Sequence, residues 1–389
     1  MTKNIIIVAP TLPPQPSGAG KRAARHAIWL SRNGHGITVI TGTHTDVFKD
    51  TNICVEHILK KNNNSKYNNS IVRFIKNIFI VKKILKNKKY ENPIIHCFGT
   101  GQTAWIILFW AKWYGLKMIT ELTLLGSDDP SNKDSGVIKP YIIPWILRKS
   151  DAVIGISPAL IDSAREIIND HTRLYLIPND IKVSDNLDTN NRDEIKSKLG
   201  LSGYNKVILF VGGFILRKGV DILVPSFLRY SKYNPDSVLV IVGLHKNPVH
   251  MKAKKRTLSI LNMSEFPENI KFAGYKTNVT DYYLISDLLL FPSRREGFPN
   301  SVVEAMAMKI PVVARKIPGI TDYIIDNGIN GVLIDSDDPE KYASAMINIL
   351  DDRTLREKMT DNAQVKVKKC FSQEVIMQQY LNVYKTVNK

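Results

Sequence analysis

Two glutamates, Glu296 and Glu304, stand eight positions apart within the stretch PSRREGFPNSVVEAMAMKIP that runs from Pro292 to Pro311. The apolar run Leu288–Phe291 leads into it and reads as a buried strand. Gly297, Phe298, Pro299 and Asn300 read as a tight turn, and the alanine- and methionine-rich segment beyond them as a helix. Strand, turn, acid and helix start in this order form a socket for a polar ligand that carries negative charge. Backbone N–H groups at a helix start favour anions, and carboxylates accept hydrogen bonds from sugar hydroxyls. The pairing points to a nucleotide sugar. Each acid also has a local explanation. Ser301-x-x-Glu304 fits a helix capping box, and Glu296 fits a solvated turn acid balanced by Arg294 and Arg295. The N–H groups of Gly297, Phe298, Asn300 and Ser301 are available to a ligand, whereas Pro299 has none to offer.

The elements that must position these groups belong to a chain of 389 residues, long enough for two domains with separate cores. Cys54, Cys97 and Cys370 are far apart, odd in number and without metal-ligand spacing, which fits a reducing compartment. The opening MTKNIIIVAP reads as a first strand stopped by proline rather than a signal peptide. The apolar run Ala104–Ala111 is shorter than the ~20 residues a spanning helix needs. The net charge is +18, and residues 60–89 carry many lysines and no acid, which implies an anionic partner.

Short apolar runs alternate with helical patterns. Ile5–Ala9, Gly36–Thr41, Pro93–Cys97, Lys117–Thr120 and Ala152–Ile156 read as strands of one sheet. Val207–Gly212, Ser237–Val242, Ile270–Phe272, Leu288–Phe291, Val312–Ala314 and Gly331–Ile334 read as strands of another. Helical stretches such as Arg22–Arg32 and Ser301–Met308 lie between them. The alternation predicts an α/β chain with two parallel, doubly wound sheets. Lys60–Asn69 reads as a flexible loop and Lys182–Asn191 as part of a linker.

At this point the chain resembles the retaining glycosyltransferases of family four. The likeness rests on PSRREGFPNSVVEAMA followed by PVVA, on VGGFILRKGVD (Val211–Asp221), on the segment Val8–Gly42, on SDAVIGISPAL (Ser150–Leu160) and on IPND (Ile177–Asp180). The resemblance implies two facing Rossmann-like domains of the GT-B type with an interdomain cleft. Residues 1–182 would bind the acceptor, 183–200 would link, 201–371 would bind the nucleotide sugar, and 372–389 would form a helix crossing back to the first domain. It further implies that Glu304 accepts hydrogen bonds from the donor ribose. Glu296 would orient the transferring sugar or stabilise positive charge at its anomeric carbon. Lys218 would reach the diphosphate as a point charge. An arginine common five residues earlier in the family is here Gly213, so the second phosphate cation stays open, with Arg217 adjacent to Lys218. Gly319 falls where backbone approaches the donor. Gly18, Ala19 and Gly20 resemble the glycine loop that admits phosphate or acceptor, though Pro13, Pro14 and Pro16 alone would mark a loop. The histidine that the family often places at the end of a first-domain strand is replaced by Glu121, which fits either a group that orients a hydroxyl or accepts a proton, or a capping or ion-paired structural residue. Asp128 and Asp129 on the following loop are further acceptor-side candidates.

The expected reaction moves a sugar from a nucleoside-diphosphate donor to a lipid-linked or oligosaccharide acceptor with retention, with no metal and no further cofactor. The amphipathic, basic segment Ile71–Lys89, with Trp105, Trp110, Trp113 and Trp145 nearby, suggests contact with the inner leaflet of the cytoplasmic membrane, and no nucleic-acid role. Such an enzyme would be cytoplasmic and peripheral. Two alternatives stand beside it: a nucleotide-sugar epimerase or hydrolase on the same fold, and a non-enzymatic basic protein that binds anionic polymer or lipid.

Overall fold

The computed structural model describes residues 4–15, 17–59, 70–87, 92–127, 129–130, 139–168, 170, 173–182 and 191–388. The expected loop Lys60–Asn69, residues 183–190 of the expected linker, Asp128, Lys88 and Lys89 lie outside them. The chain divides into two compact units, one formed by Met1–Asp180 with Ile376–Lys389 and the other by Ile181–Val375.

The first unit holds a seven-stranded sheet made of β1 (Asn4–Val8), β2 (Gly36–Thr41), β3 (Cys54–His57), β4 (Ile94–Phe98), β5 (Lys117–Leu122), β6 (Ala152–Gly155) and β7 (Leu174–Leu176). Its spatial order is β3-β2-β1-β4-β5-β6-β7, and every pairing is parallel. Helices α1 (Gly18–Arg32), α2 (Ser70–Lys86), α3 (Gln102–Trp113), α4 (Lys139–Lys149) and α5 (Pro158–Arg165) connect the strands. A parallel sheet covered on both faces makes its strands apolar without interruption, and successive side chains then serve opposite cores. In β1, Ile5 and Ile7 join a core with Ala23, Ala27 and Leu30 of α1, while Ile6 and Val8 join a second core with Val81 of α2, Ile107 of α3 and Ile146 of α4. Strands β3 and β7 extend the expected five-stranded sheet at both edges.

The second unit holds β8 (Lys206–Val211), β9 (Ser237–Val242), β10 (Ile270–Gly274), β11 (Leu288–Phe291), β12 (Val312–Arg315) and β13 (Val332–Ile334), in the order β10-β9-β8-β11-β12-β13, again all parallel. Its helices are α6 (Arg192–Lys198), α7 (Val220–Tyr233), α8 (Pro248–Leu261), α9 (Thr280–Leu284), α10 (Asn300–Ala307), α11 (Thr321–Ile324), α12 (Pro339–Asp351) and α13 (Arg353–Phe371). Helix α6 falls within the span expected to be linker. The last helix, α14 (Gln373–Val387), gives Ile376, Met377, Tyr380, Val383 and Tyr384 to the α1-side core of the first unit. In both sheets the strand order reverses at the unit's own first strand, between β1 and β4 and between β8 and β11. In open α/β sheets this reversal opens a crevice at the carboxyl ends of the strands, where ligands bind.

Candidate functional site

In the second unit the two chain segments that leave the reversal point carry the predicted groups. β8 runs out through Gly212 and Gly213 into a single 3-10 turn, Leu216–Lys218, and Gly219 then starts α7 with φ of +70°. A Cβ at Gly219 would lie 2.0 Å from the carbonyl oxygen of Pro292. Only glycine therefore lets the β8 and β11 exits run side by side. The approach sets Lys218 against the acid that follows β11: its Nζ donates to Glu296 Oε1 at 2.6 Å and lies 5.4 Å from the centre of the Phe291 ring. Ser293 Oγ donates to the same carboxylate oxygen. Arg217 Nη1 stands 3.7 Å from Glu296 Oε2 and donates to the carbonyl of Arg295. Glu296 is 6% exposed. It is an enclosed carboxylate between two cations, not the solvated turn acid of the local alternative.

Arg294, one of the two cations that alternative invoked, points elsewhere. Its guanidinium spans Asp221 with two hydrogen bonds of 2.7 and 3.0 Å and also reaches Asp337.

Helix α10 begins at Asn300 with Pro299 as its N-cap and no side-chain cap. Ser301 is thus inside the helix, and the capping box does not form. Glu304 instead accepts a 2.7 Å hydrogen bond at Oε2 from Tyr283, whose hydroxyl is fully buried. Burial first, then the adjacent Glu304 charge and hydrogen bond, raise the Tyr283 pKa well above its ordinary value, so the phenol stays protonated and donates. Glu304 Oε1 accepts no bond from any described residue. The Phe298 side chain belongs to the interior, edge-on to Phe371 at 5.5 Å, so its backbone alone is free to serve a ligand. Gly297 and Ser301 are buried beside it. Gly213 sits next to His250: a Cβ there would meet the imidazole Nε2 at 3.3 Å. Gly319 takes φ of +67° after β12.

The first unit corrects two expectations. Gly18, Ala19 and Gly20 form the first turn of α1 rather than a loop, with Ser17 as N-cap accepting from Gly20 N at 3.0 Å. A Cβ at Gly20 would lie 2.0 Å from the Thr11 carbonyl oxygen, whereas Gly18 faces open space. Gly20 is a packing glycine, and Gly18 alone leaves room for a ligand. Glu121, near the end of β5, has 0% exposure. Arg22 of α1, itself buried, forms an ion pair with it, and Tyr380 of α14 donates to Oε2 at 2.8 Å. Glu121 is the ion-paired structural residue of the two options and offers no surface to an acceptor. Asp129 is also buried, accepting from the N–H groups of Gly126 and Ser127, so it shapes its own turn.

A buried polar chain continues from Glu121. His96 Nε2 lies 3.3 Å from Glu121 Oε2, and His96 Nδ1 lies 2.7 Å from the Tyr384 hydroxyl, which lies 2.6 Å from His26 Nε2. Burial lowers the pKa of His26 to about 3 and that of His96 well below its ordinary value. Both rings are therefore neutral. The His96 Nε2 approach to Glu121 lacks hydrogen-bond geometry, so the Tyr384 hydroxyl is shared between two imidazole nitrogens whose donor and acceptor roles depend on the ring tautomers. No single segment announces this network. Its one local signal is the placement of Arg22 and His26 four apart on the alanine-rich face of α1.

The segment read as amphipathic is half core and half surface. Val81, Ile84 and Leu85 of α2 are buried, but Ile71, Ile75 and Phe79 nearer its start are exposed. Phe109 and Trp113 of α3 and Tyr141 and Trp145 of α4, on the same face of the sheet, are exposed as well, Trp113 at 72%. Trp105 and Trp110 are partly buried, Trp105 stacked on Phe74 and Trp110 donating to the Ile78 carbonyl at 3.0 Å. Among the described residues no helix is long and apolar enough to cross a membrane.

Two family profiles tile the chain: "Glycosyltransferase Family 4" matches residues 16–184, and "Glycosyl transferases group 1" matches residues 191–366. The chain is 27% identical over 267 residues to the N-acetyl-alpha-D-glucosaminyl L-malate synthase of Bacillus anthracis, across 68% of this chain and 65% of that protein, slightly under two thirds of the relative's length. It is 25% identical over 325 residues to the UDP-Gal:alpha-D-GlcNAc-diphosphoundecaprenol alpha-1,3-galactosyltransferase of Escherichia coli, across 77% of this chain and 76% of that one. The Anabaena protein HepE, crystallised with UDP and glucose, superimposes with a TM-score of 0.78 at 17% identity, over 99% of this chain and 100% of that chain. At that identity the likeness speaks for the fold.

Proposed function

Because the chain belongs to the family-four, group 1 glycosyltransferases, we propose that it moves a sugar from a nucleoside-diphosphate sugar to an acceptor hydroxyl with retention at the anomeric carbon. The observation that carries this reading is the Lys218–Glu296 pair at the β8/β11 reversal, with Glu304 one helical turn into α10. In this reading Glu304 Oε1 takes a ribose hydroxyl while Tyr283 holds Oε2. Lys218 leaves Glu296 for the diphosphate, and the freed carboxylate faces the sugar, beside the backbone of Gly297, Phe298, Asn300 and Ser301. Gly213 and Gly319 let the backbone come close to the donor, and Gly18 does the same for the acceptor.

The bond between the anomeric carbon and the phosphate oxygen breaks as the acceptor oxygen bonds to that carbon from the same face. The acceptor proton passes to the departing phosphate oxygen. Two points support this routing. The charge that grows on the leaving diphosphate meets the Lys218 ammonium, the kind of stabilisation worth about 2.7–4 kcal/mol. Glu121, the first-unit carboxylate weighed as a group that orients a hydroxyl or accepts a proton, is sealed by Arg22.

The reading uses no metal. The acidic run after β13 is already engaged by cations, Asp335 with Lys316 and Asp337 with Arg294 and Arg315. The experiment is a thermal-shift screen of UDP- and GDP-sugars with product analysis by mass spectrometry, repeated in EDTA. A donor that raises the Tm and yields a glycoside in EDTA supports the proposal, and a chain that no donor shifts refutes it.

The finer acceptor reading is a polyisoprenyl-phosphate-linked or other lipid-linked sugar, met at an anionic membrane surface. The exposed Ile71, Phe79, Phe109, Trp113 and Tyr141 support it, with Lys76, Lys82, Lys83 and Lys86 exposed along α2. An exposed lysine near an anionic leaflet contributes about 1 kcal/mol, so the helix would hold the protein at the surface without spanning it. Co-sedimentation with vesicles containing anionic lipid, compared with neutral vesicles, checks this; binding unchanged by Phe79→Ser with Trp113→Ser argues against this surface.

A further inference from the structure

We propose that Arg217 is the second cation for the donor diphosphate, a residue-level assignment that rests on the nucleotide-sugar reading above. Three observations carry it. First, Arg217 and Lys218 leave the same turn yet hold opposite oxygens of one carboxylate: Lys218 is 2.6 Å from Glu296 Oε1 and Arg217 is 3.7 Å from Oε2. Whatever anion Lys218 meets at this reversal point lies within reach of the Arg217 guanidinium. Second, the neighbouring cation is committed. Arg294 is neutralised by Asp221 and Asp337, while the cluster of Arg217, Lys218 and Glu296 carries one surplus positive charge. Third, Gly212 and Gly213 at the β8 exit bring no side-chain charge, so Arg217 and Lys218 are the basic residues of this turn.

The chemistry suits a diphosphate better than a single phosphate. A guanidinium presents five N–H donors in a planar fork that matches two phosphate oxygens, which an ammonium cannot do. Among the described residues, only Nη1 of Arg217 is in contact, with the Arg295 carbonyl and near Glu296. The remaining donors can bridge the two phosphate groups while Lys218 takes one oxygen as a point charge. In the unliganded site Glu296 holds both cations in place. The incoming diphosphate replaces that carboxylate and releases it toward the sugar.

The test measures UDP and UMP affinity, with inorganic pyrophosphate and phosphate as base-independent probes, for wild type, Arg217→Ala and Arg217→Lys. UDP and pyrophosphate affinity should fall about 10–100-fold in Arg217→Ala, UMP and phosphate no more than about threefold, with Arg217→Lys in between. Added guanidinium ion should recover part of the UDP affinity of Arg217→Ala. A residue that merely braced the Arg295 turn would lower UDP and UMP by the same factor and show no such recovery, and either result overturns the assignment. Wild type that binds while Arg217→Ala keeps its UDP affinity overturns this assignment alone. Wild type that binds neither UDP, GDP nor pyrophosphate overturns the donor reading with it. Should Arg217→Ala fail to fold, Arg217→Gln keeps most of the aliphatic stem without the charge and carries the same expectations.

Discussion

Glu121 and Glu296 both lie at the carboxyl ends of strands in sheets of like topology, one near the end of β5 and the other just past β11, and they have opposite surroundings. Glu121 has no exposed surface, and its partners come from helices at both ends of the chain: Arg22 of α1 and Tyr380 of α14. Glu296 is nearly as buried, but its partners Lys218 and Arg217 leave one short turn, and each keeps a side chain partly open to solvent. The first acid is locked by elements that cannot move apart without opening a core. The second is held by side chains that can swing to another anion. Burial alone does not separate a structural carboxylate from a chemical one; the freedom of its partners does.

Exchanging the two acids for alanine is the direct way to break this contrast. Glu121→Ala leaves Arg22 buried without its counter-ion and should cost about 3–5 kcal/mol in denaturant unfolding. Glu296→Ala should cost only about 1–2 kcal/mol, because Lys218 and Arg217 can turn to water, while donor turnover falls far more. A Glu121 variant of native stability, or a Glu296 variant that unfolds readily, would undo the comparison.

Acid should sharpen it. His26 and His96 are neutral in the folded state, with pKa values below the ordinary 6.5. The unfolded chain takes up protons that the folded one does not. Stability contributed by the neutral pair is therefore intact above pH 6.5 and lost as pH falls below it, continuing toward about 3 for His26. Each histidine adds a slope of about 1.4 kcal/mol per pH unit. Urea midpoints at pH 7, 6 and 5 measure it, and replacing both histidines by glutamine should flatten the curve. The smallest effect belongs to Tyr283→Phe, which strips one donor from Glu304. The variant should weaken nucleoside-diphosphate binding a few-fold, about 1 kcal/mol, with the fold intact, as titration calorimetry with UDP would read.

Much of the architecture was legible because buried parallel strands are continuous apolar runs. Ile5–Ala9 and Leu288–Phe291 announce β1 and β11 for that reason. The edges were not. Cys54–His57 is four residues with a glutamate and a histidine, and Leu174–Leu176 is three residues long; neither has the length or pattern of a buried strand. In the site, Glu296 and Lys218 were legible as types in a strand–turn context, but their pairing joins segments 78 positions apart. Tyr283 gives no sign, 21 positions before Glu304, of the bond that ends the capping-box reading. Glu121 could not be decided at all from its neighbours Thr120 and Leu122. Its fate is set by a tyrosine 259 residues later.

That last tyrosine sits on α14, and α14 has a consequence in time. The first unit's core is written at both ends of the chain, with all of Ile181–Val375 between them. On a ribosome adding about 5–20 residues per second, the β1–β7 sheet waits about 10–40 s for the helix that covers Ile5, Ala27 and Ile154 and bonds Glu121. During that interval an apolar face and an ion pair lack their lid. The order in which the gene is read therefore lets the second unit finish folding before the first, and leaves the β1–β7 sheet dependent on a helix that emerges only after the second unit.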